Sequence, residues 1–427
     1  MVFVLVIGFI LLMIAAGTAL AYITGAGAVL FYFALDMEQY LALSPQLVFS
    51  QLDVFALMAM PLFMLVGEIM NRGRITHVLV DFAMSLIGRA KGGLAHVNIL
   101  TSVFFAGISG SAMADAAALS STLVPAMVDK GYSKVYAGAI TAASSIIGPI
   151  IPPSIILIFY GAILGVDIAA LFAAGIVPGL LLAGALMAAN AWFAHRHDHP
   201  GGKSEDIEPI LPSLRKAGPA LSLPLIIVVG IVFGVMTPTE AAAVAVFAAI
   251  AVGVYYRSIN LKILYECLQR TVVLTGSIFM LFASAALIIY LAALTNVPKT
   301  LSETVVEFGI SGTSYLLMIM VVFLLFGMLL DTLLGLALVA PVLVPVAVSQ
   351  GADPVHVGII VCLTLAIGII SPPFGGSVLV VSAVTGTNYW KLYTWVLPFY
   401  VVEILVLLLI VLFPEITLFL PRALGLM

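Results

Sequence analysis

The sequence predicts an all-α polytopic membrane protein with an inverted-repeat architecture, two re-entrant hairpins and two broken helices. Three observations carry that prediction. Of the 427 residues, 63% are hydrophobic and 8% charged, whereas soluble domains carry about 25% charged residues. Uncharged stretches recur at 1–35, 94–114, 135–166, 168–194, 271–297 and 315–330, each at or near the roughly 20 residues that cross about 30 Å of hydrocarbon. Lastly, a shift of 220 residues matches the chain to itself without a gap. Across 123–153, 13 of 31 positions meet an identical residue, and six of these are Gly or Pro: Pro125, Gly131, Gly138, Gly148, Pro152 and Pro153. Chance similarity between apolar helices does not align Gly and Pro at this density. Gly107 and Gly327 extend the register upstream.

Taken in order, 1–35 reads as the first membrane helix. Ala19-Leu20-Ala21 resembles a cleavage site, but no basic region precedes the long apolar run. A helix through Pro61 ends near Glu68. The segment 71–93 is amphipathic with a period near 3.6, as in a helix lying in the membrane interface. The run 94–125 is interrupted by Gly107 to Asp115, too early for either arm to span comfortably, which predicts a re-entrant hairpin. The run 135–165 is broken at Gly148-Pro149-Ile150-Ile151-Pro152-Pro153-Ser154, because tandem proline cannot continue a helix. After 168–194 comes the one long polar loop, 195–218, whose His195, His197 and His199 read as solvated. Crossings near 219–235, 238–256 and 271–293 follow, with Thr237 or Thr239 capping the second and Glu240 in its first turn. The second half repeats the plan: an interfacial segment at 296–312, a hairpin from Gly327 to Gly335, a break from Gly368 to Ser377, and a last helix holding Glu403. The expected units are scaffold helices and the first arm (1–93), the first repeat (94–167), scaffold helices, loop and second arm (168–312), the second repeat (313–388) and a C-terminal helix (389–427).

Lysine and arginine mark the cytoplasmic side. Of the 16 such residues, 14 fall in segments that one orientation places together, and only Lys299 and Arg422 fall on the far side. About five crossings then separate Lys134 from Val355. An odd number turns the second repeat upside down relative to the first.

Broken helices free backbone carbonyls that need partners inside a bilayer, and a bound cation is one such partner. Hard cations such as Na⁺ take oxygen ligands. In the first half the candidate ligands are Ser109, Ser111, Ser144, Ser145 and Ser154, with carbonyls near Gly107, Gly148 and Ile151. In the second half they are Asp331, Thr332, Thr364, Ser371 and Ser377, with carbonyls near Gly327, Gly368 and Gly375. Hairpin tip and helix break of one half are expected to enclose one cation, giving two or more Na⁺ sites. Substrate contacts are expected at Ser109, Gly110, Pro152, Pro153, Ser154, Pro372, Pro373, Gly376 and Ser377. Exposed helix N-termini there favour an anion, and no Lys or Arg is available between the breaks. Packing of small residues explains Ala116 to Ala118, but it does not explain the intramembrane acids Asp115 and Asp331. The two cysteines, Cys267 and Cys362, have no metal-type spacing.

Several stretches carry a family resemblance. Pro61 with Gly67-Glu68-Ile69-Met70-Asn71, Gly107-Ile108-Ser109-Gly110-Ser111 through Ala114-Asp115, Thr237-Pro238-Thr239-Glu240-Ala241-Ala242-Ala243 and the paired Pro-Pro breaks together resemble the large membrane (M) subunit of tripartite ATP-independent periplasmic (TRAP) transporters, over essentially the whole chain. The resemblance implies an ion-transporter fold with a scaffold and an elevator-type transport domain. It implies Na⁺-coupled, secondary-active import of an organic acid of the sialic acid or C4-dicarboxylate class, and no enzymatic activity. The implied partners are a small four-helix membrane subunit (Q), expected here as a separate chain because no extra helices are fused at the N-terminus, and a periplasmic substrate-binding protein (P). The implied location is the bacterial cytoplasmic (inner) membrane. A stand-alone Na⁺/dicarboxylate symporter fits the same repeat. A channel fits less well, for want of polar residues to line a pore. No phosphate-binding glycine loop supports an ATP-driven pump, and no nucleophile with a neighbouring base supports a membrane enzyme.

Overall fold

The computed structural model describes residues 2–73, 75–201 and 207–427. Among these the chain forms twenty α-helices and no strand, with one isolated bridge between Lys91 and Gly201. The first five helices are α1 (Val2–Ala15), α2 (Leu20–Ala34), α3 (Ser44–Leu52), α4 (Ala59–Arg72) and α5 (Ile75–Ile87). Then come α6 (Gly93–Ser109), α7 (Ala112–Asp129), α8 (Lys134–Ser144), α9 (Ile155–Leu164) and α10 (Ile168–Arg196). The middle of the chain holds α11 (Ile210–Val232), α12 (Pro238–Tyr255), α13 (Leu261–Leu294) and α14 (Val297–Glu307). The last six are α15 (Thr313–Leu329), α16 (Thr332–Ser349), α17 (Pro354–Gly368), α18 (Gly376–Thr385), α19 (Tyr389–Leu412) and α20 (Glu415–Ala423). Seven segments are long and apolar enough to cross a membrane: Phe55–Arg72, α10, α11, α12, α13, α16 and α19.

The 220-residue shift reappears in the helix bounds. It carries 93–109 onto 313–329 and 112–129 onto 332–349, so α6 and α7 coincide in extent with α15 and α16. It also carries the start of α8 onto that of α17, and 155–164 to within one residue of α18. The run 135–165 is accordingly two short helices. Between them lie a 3₁₀ turn, Ser145–Ile147, and the Pro152-Pro153 pair, whose peptide bond is cis, as is that of Pro372-Pro373.

Three expected boundaries move. The first apolar stretch is two helices rather than one, parted at Gly17, whose φ of +70° no continuing helix adopts. The first arm is confined to α5, with Arg89 and Lys91 beyond its end. Ile75, Leu79, Phe82 and Ala83 form its buried stripe at helical spacing. The polar loop is shorter than 195–218, because α11 begins at Ile210 and carries Pro219 inside it. Burial of Ser213 and Ala217 in a helix packed on α5 and α12 outweighs the polar composition of that stretch.

The residues after α10 fold back on the bundle. Lys91 pairs with Asp198 at 2.6 Å, and the Pro200 carbonyl accepts from the Gly92 amide at 3.3 Å and the Tyr132 hydroxyl at 3.0 Å. His199 is half-buried, its ring centred 4.3 Å from that of Tyr136, so it is not the solvated residue its polar neighbourhood suggested. At α12 the reading of the caps holds. Thr237 and Glu240 form a capping box, while the Thr239 hydroxyl donates to the Phe55 carbonyl at 3.2 Å.

The halves interlock. Helix α7 of the first hairpin packs on α18 after the second break, and α16 of the second hairpin packs on α9 after the first. Each hairpin also packs on its own half, α7 on α8 and α15 on α17. Both hairpin turns are thereby held in one region.

Candidate functional site

The first hairpin turns at Gly110, whose φ of +58° favours glycine. Space demands glycine as well. A Cβ there would lie 3.0 Å from the Pro153 carbonyl oxygen and 3.1 Å from the Ile155 nitrogen. The tip is therefore seated on the first break. Gly107 sits where a Cβ would lie 2.5 Å from Pro224 and 3.6 Å from the Pro152 carbonyl oxygen. The Ser111 amide donates to the Ser109 hydroxyl oxygen at 3.2 Å.

Asp115, in the first turn of α7, is fully buried. One of its carboxylate oxygens accepts from the Ser109 hydroxyl, and the other has no hydrogen-bond partner among the described residues. That second oxygen is aimed at Gly148. A Cβ there would lie 2.3 Å from Asp115 Oδ2 and 3.2 Å from the Ser145 carbonyl oxygen. The expected ligand set did not include Asp115. Its only signal in the sequence was the cost of a carboxylate in an apolar segment.

The hydroxyls of the first break are occupied elsewhere. Ser144 accepts from Ser102 at 2.9 Å and donates to Asn98 Oδ1 at 3.2 Å, while Asn98 donates to Thr141 at 2.6 Å, a polar seam between α6 and α8. Ser145 donates to the Ala142 carbonyl at 2.8 Å, so only its carbonyl faces Gly148. Ser154 caps α9 by accepting from the Leu157 amide at 3.3 Å, and it donates to the Pro149 carbonyl across the break. The Ile151 side chain lies against Gly179 of α10.

In the second half Gly327 and Gly368 cross in contact. A Cβ on Gly368 would lie 2.6 Å from the Gly327 Cα. Asp331 caps α16 by accepting from the Leu333 amide at 2.9 Å, with Thr332 buried behind it. The Thr364 and Ser371 hydroxyls bond back to their own helix, to the Ile360 and Ile367 carbonyls at 2.6 and 3.1 Å. Gly375, at φ +47°, is where a Cβ would meet the Tyr389 hydroxyl at 2.9 Å, and that hydroxyl donates to the Pro373 carbonyl at 3.3 Å. The Ser377 amide donates to the Ile369 carbonyl at 3.2 Å, while its buried hydroxyl has no partner among the described residues. Gly376 touches Met113 of the first hairpin, so the second break rests on the tip of the other half.

These elements enclose a cavity of about 380 Å³, within the 300–1,000 Å³ usual for small-molecule sites. Ser109 to Ala114 of the first hairpin and Asp331 to Leu333 of the second line it together, with Pro149, Ile155 and Ile156 from the first break and Ile369 from the second. The rest of the wall comes from α4 (Met64, Gly67, Glu68, Asn71) and α13 (Leu274, Ser277, Ile278, Leu281), which no sequence motif had joined to the hairpins. The N-termini of α7 and α16 both reach the cavity with their positive dipole ends, that of α16 capped by the Asp331 carboxylate. Ser144, Ser145, Ser154, Ser371 and Ser377 do not line it.

A family model described as "Tripartite ATP-independent periplasmic transporter, DctM component" matches residues 5–416. The chain belongs to that family. As a member of it, the chain works in substrate transport and not as an enzyme. This DctM component is 38% identical to the sialic acid TRAP transporter large permease protein SiaM of Vibrio cholerae, over 87% of each chain. It is 34% identical to the C4-dicarboxylate TRAP transporter large permease protein DctM of Pseudomonas aeruginosa, over 92% of each. It is 37% identical to the sialic acid TRAP transporter permease protein SiaT of Haemophilus influenzae, over 93% of this chain and 65% of that longer one. In fold it resembles the YdaH transporter of Alcanivorax borkumensis, with a TM-score of 0.62 and 16% identity over 88% of both chains.

Proposed function

We propose that this DctM component imports an organic acid of the sialic acid or C4-dicarboxylate class across the bacterial inner membrane, coupled to Na⁺. The acid is delivered by a periplasmic binding protein, and a small four-helix membrane subunit completes the complex. The observation that carries the reading is the single cavity shared by both hairpin tips, with two helix N-termini at its wall. Such termini bind anions without a buried lysine or arginine. Relatives named for sialic acid and for C4-dicarboxylate support the acid class.

Na⁺ fits the first half. The unpartnered Asp115 oxygen and the Ser145 carbonyl converge beside Gly148, where no side chain intervenes. Both are hard oxygen donors. A cation there offsets the cost of a buried carboxylate and ties the hairpin tip to the break. Asp331 and Thr332 supply oxygens at the other tip. Bound cations then add positive potential beside the substrate's carboxylate, so cation and acid stabilise one another, which is the thermodynamic content of coupling. The interlocked repeats move as one body against α4 and α13 in an elevator-type step, with the second repeat inverted relative to the first.

The test is uptake of radiolabelled N-acetylneuraminate, and separately succinate, into proteoliposomes holding both membrane subunits, with and without a Na⁺ gradient and the cognate binding protein. Uptake that needs both is expected. Uptake with Na⁺ alone makes the protein a stand-alone symporter, and flux without any gradient makes it a channel.

A further inference from the structure

The scaffold wall of the cavity changes character along its length. Along one stretch of the wall, α4 offers Met64, and α13 offers Leu281, Ile278 and Leu274. Toward the end of α4 come Glu68 and Asn71, and one turn beyond Leu274 on α13 stands Arg270. Glu68 is held from both sides, by Arg270 Nε at 3.1 Å and Arg72 Nε at 3.8 Å, and Arg72 also pairs with Glu266. The four charges sum to zero, yet they differ in exposure. The Glu68 side chain is 15% exposed and that of Arg270 is 60% exposed. Arg270 meets Glu68 most closely through Nε, and its terminal nitrogens make no hydrogen bond among the described residues. A guanidinium with its terminal fork free is the geometry that takes a carboxylate through two parallel hydrogen bonds.

We propose that Arg270 is the residue that receives the substrate's anionic group at the cytoplasmic mouth of the cavity, with Glu68 as its counter-ion between transport events. The proposal rests on the reading of the chain as an organic-acid importer, and on the charge bias that puts the Arg72 and Arg270 end in the cytoplasm. An acid leaving the apolar part of the wall gives up its bound cations and the helix ends. Without Arg270 it would face a Glu68 paired only with Arg72, at 3.8 Å, and Arg72 is shared with Glu266, so the net charge there would be negative and would repel the acid. Arg270 reverses the sign of that encounter. Because Glu68 already neutralises it, the acid is passed on rather than trapped, and Glu68 takes Arg270 back once the acid has left.

The test does not depend on knowing the substrate. In the full chain carrying Cys267→Ala and Cys362→Ala, Ser277→Cys places a thiol in the cavity wall. Its reaction rate is measured in inverted membrane vesicles with an anionic methanethiosulfonate (sulfonatoethyl) and a cationic one (trimethylammonioethyl). Arg270→Gln is expected to lower the anionic-to-cationic rate ratio by about fivefold or more, and Glu68→Gln to raise it, as a single charge at a confined mouth does to local ion concentration. Right-side-out vesicles are expected to react slowly. A ratio unmoved by both substitutions, or faster reaction from the periplasmic side, overturns the proposal. A second arm uses the charge swap Glu68→Arg with Arg270→Glu, which keeps the ion pair. Restored uptake of N-acetylneuraminate or succinate in the swap would make the pair a structural brace and overturn the role of Arg270. Uptake by the parent without Na⁺ would sink the coupling reading, while the reactivity ratio still decides the mouth.

Discussion

Asp115 and Gly148 act as a pair. The glycine leaves room for a carboxylate oxygen that no protein donor satisfies. Asp115→Asn retains an acceptor for the Ser109 hydroxyl but removes the charge that a cation needs. It is expected to raise the Na⁺ concentration for half-maximal uptake by about tenfold or more, since one lost charge-assisted contact is worth about 1.5–3 kcal/mol. Unchanged Na⁺ dependence in Asp115→Asn would remove this residue from the site. The glycine crossing in the second half belongs to the same scale. Gly368→Ala forces a methyl to 2.6 Å from the Gly327 Cα and is expected to lower the melting midpoint, as overpacking costs about 1–3 kcal/mol. Gly276→Ala, where a Cβ meets nothing within 4 Å, is the control that leaves it in place.

Among the elements, the segment after α10 is the least foreseeable from its composition. His195, His197, Asp198 and His199 look like a polar loop, yet Asp198 pairs with Lys91 and His199 enters an aromatic pocket of Tyr132 and Tyr136. Lys91 holds the Asp198 carboxyl below the usual carboxylate range, so that contact outlasts mild acid. Burial, and next the charge of His197, push the His199 ring below its ordinary value of 6.5. A histidine lowered in the folded state binds fewer protons there than when released, so docking is favoured above about pH 6.5 and weakens as pH falls through that value. The protection of the amides of 197–199 and 201, taken relative to intrinsic exchange at each pH, is expected to fall between about pH 7 and pH 5.5. A flat profile, or the same profile in His199→Phe, would take the ring out of the latch.

On the scale of the whole molecule, the two halves share one cavity because each break rests on a hairpin. Gly110 sits on Pro153, and Gly376 sits on Met113. If the repeats travel together, a covalent link between Met113→Cys and Gly376→Cys stays within the moving body and uptake survives it. A reducible crosslink between Ala114→Cys and Ser277→Cys, which line the same cavity, joins that body to α13 and is expected to abolish uptake until reduced. Survival of uptake with the second link closed would exclude an elevator-type movement.

Much of this protein was legible before folding was considered. Apolar length marked the membrane helices, because hydrocarbon thickness converts directly into residue count. The paired breaks were legible because Gly and Pro constrain the backbone at single positions, so Pro152 and Pro372 mark an interruption in each half. The capping box at Thr237 and Glu240 was legible because its partners lie three residues apart. The partners of the break hydroxyls were not. Ser144 and Ser371 read as ligands because a sequence lists donors, not the nearer acceptor each one finds. The acid at 68 was visible, but not its place in the wall beside Ser109 and Asp331, nor the arginine at 270 that meets it. Those depend on contacts between residues far apart in the chain. Only tertiary packing decides them, because side-chain hydrogen bonds and ion pairs are short-ranged and take whichever partner the assembled helices bring near.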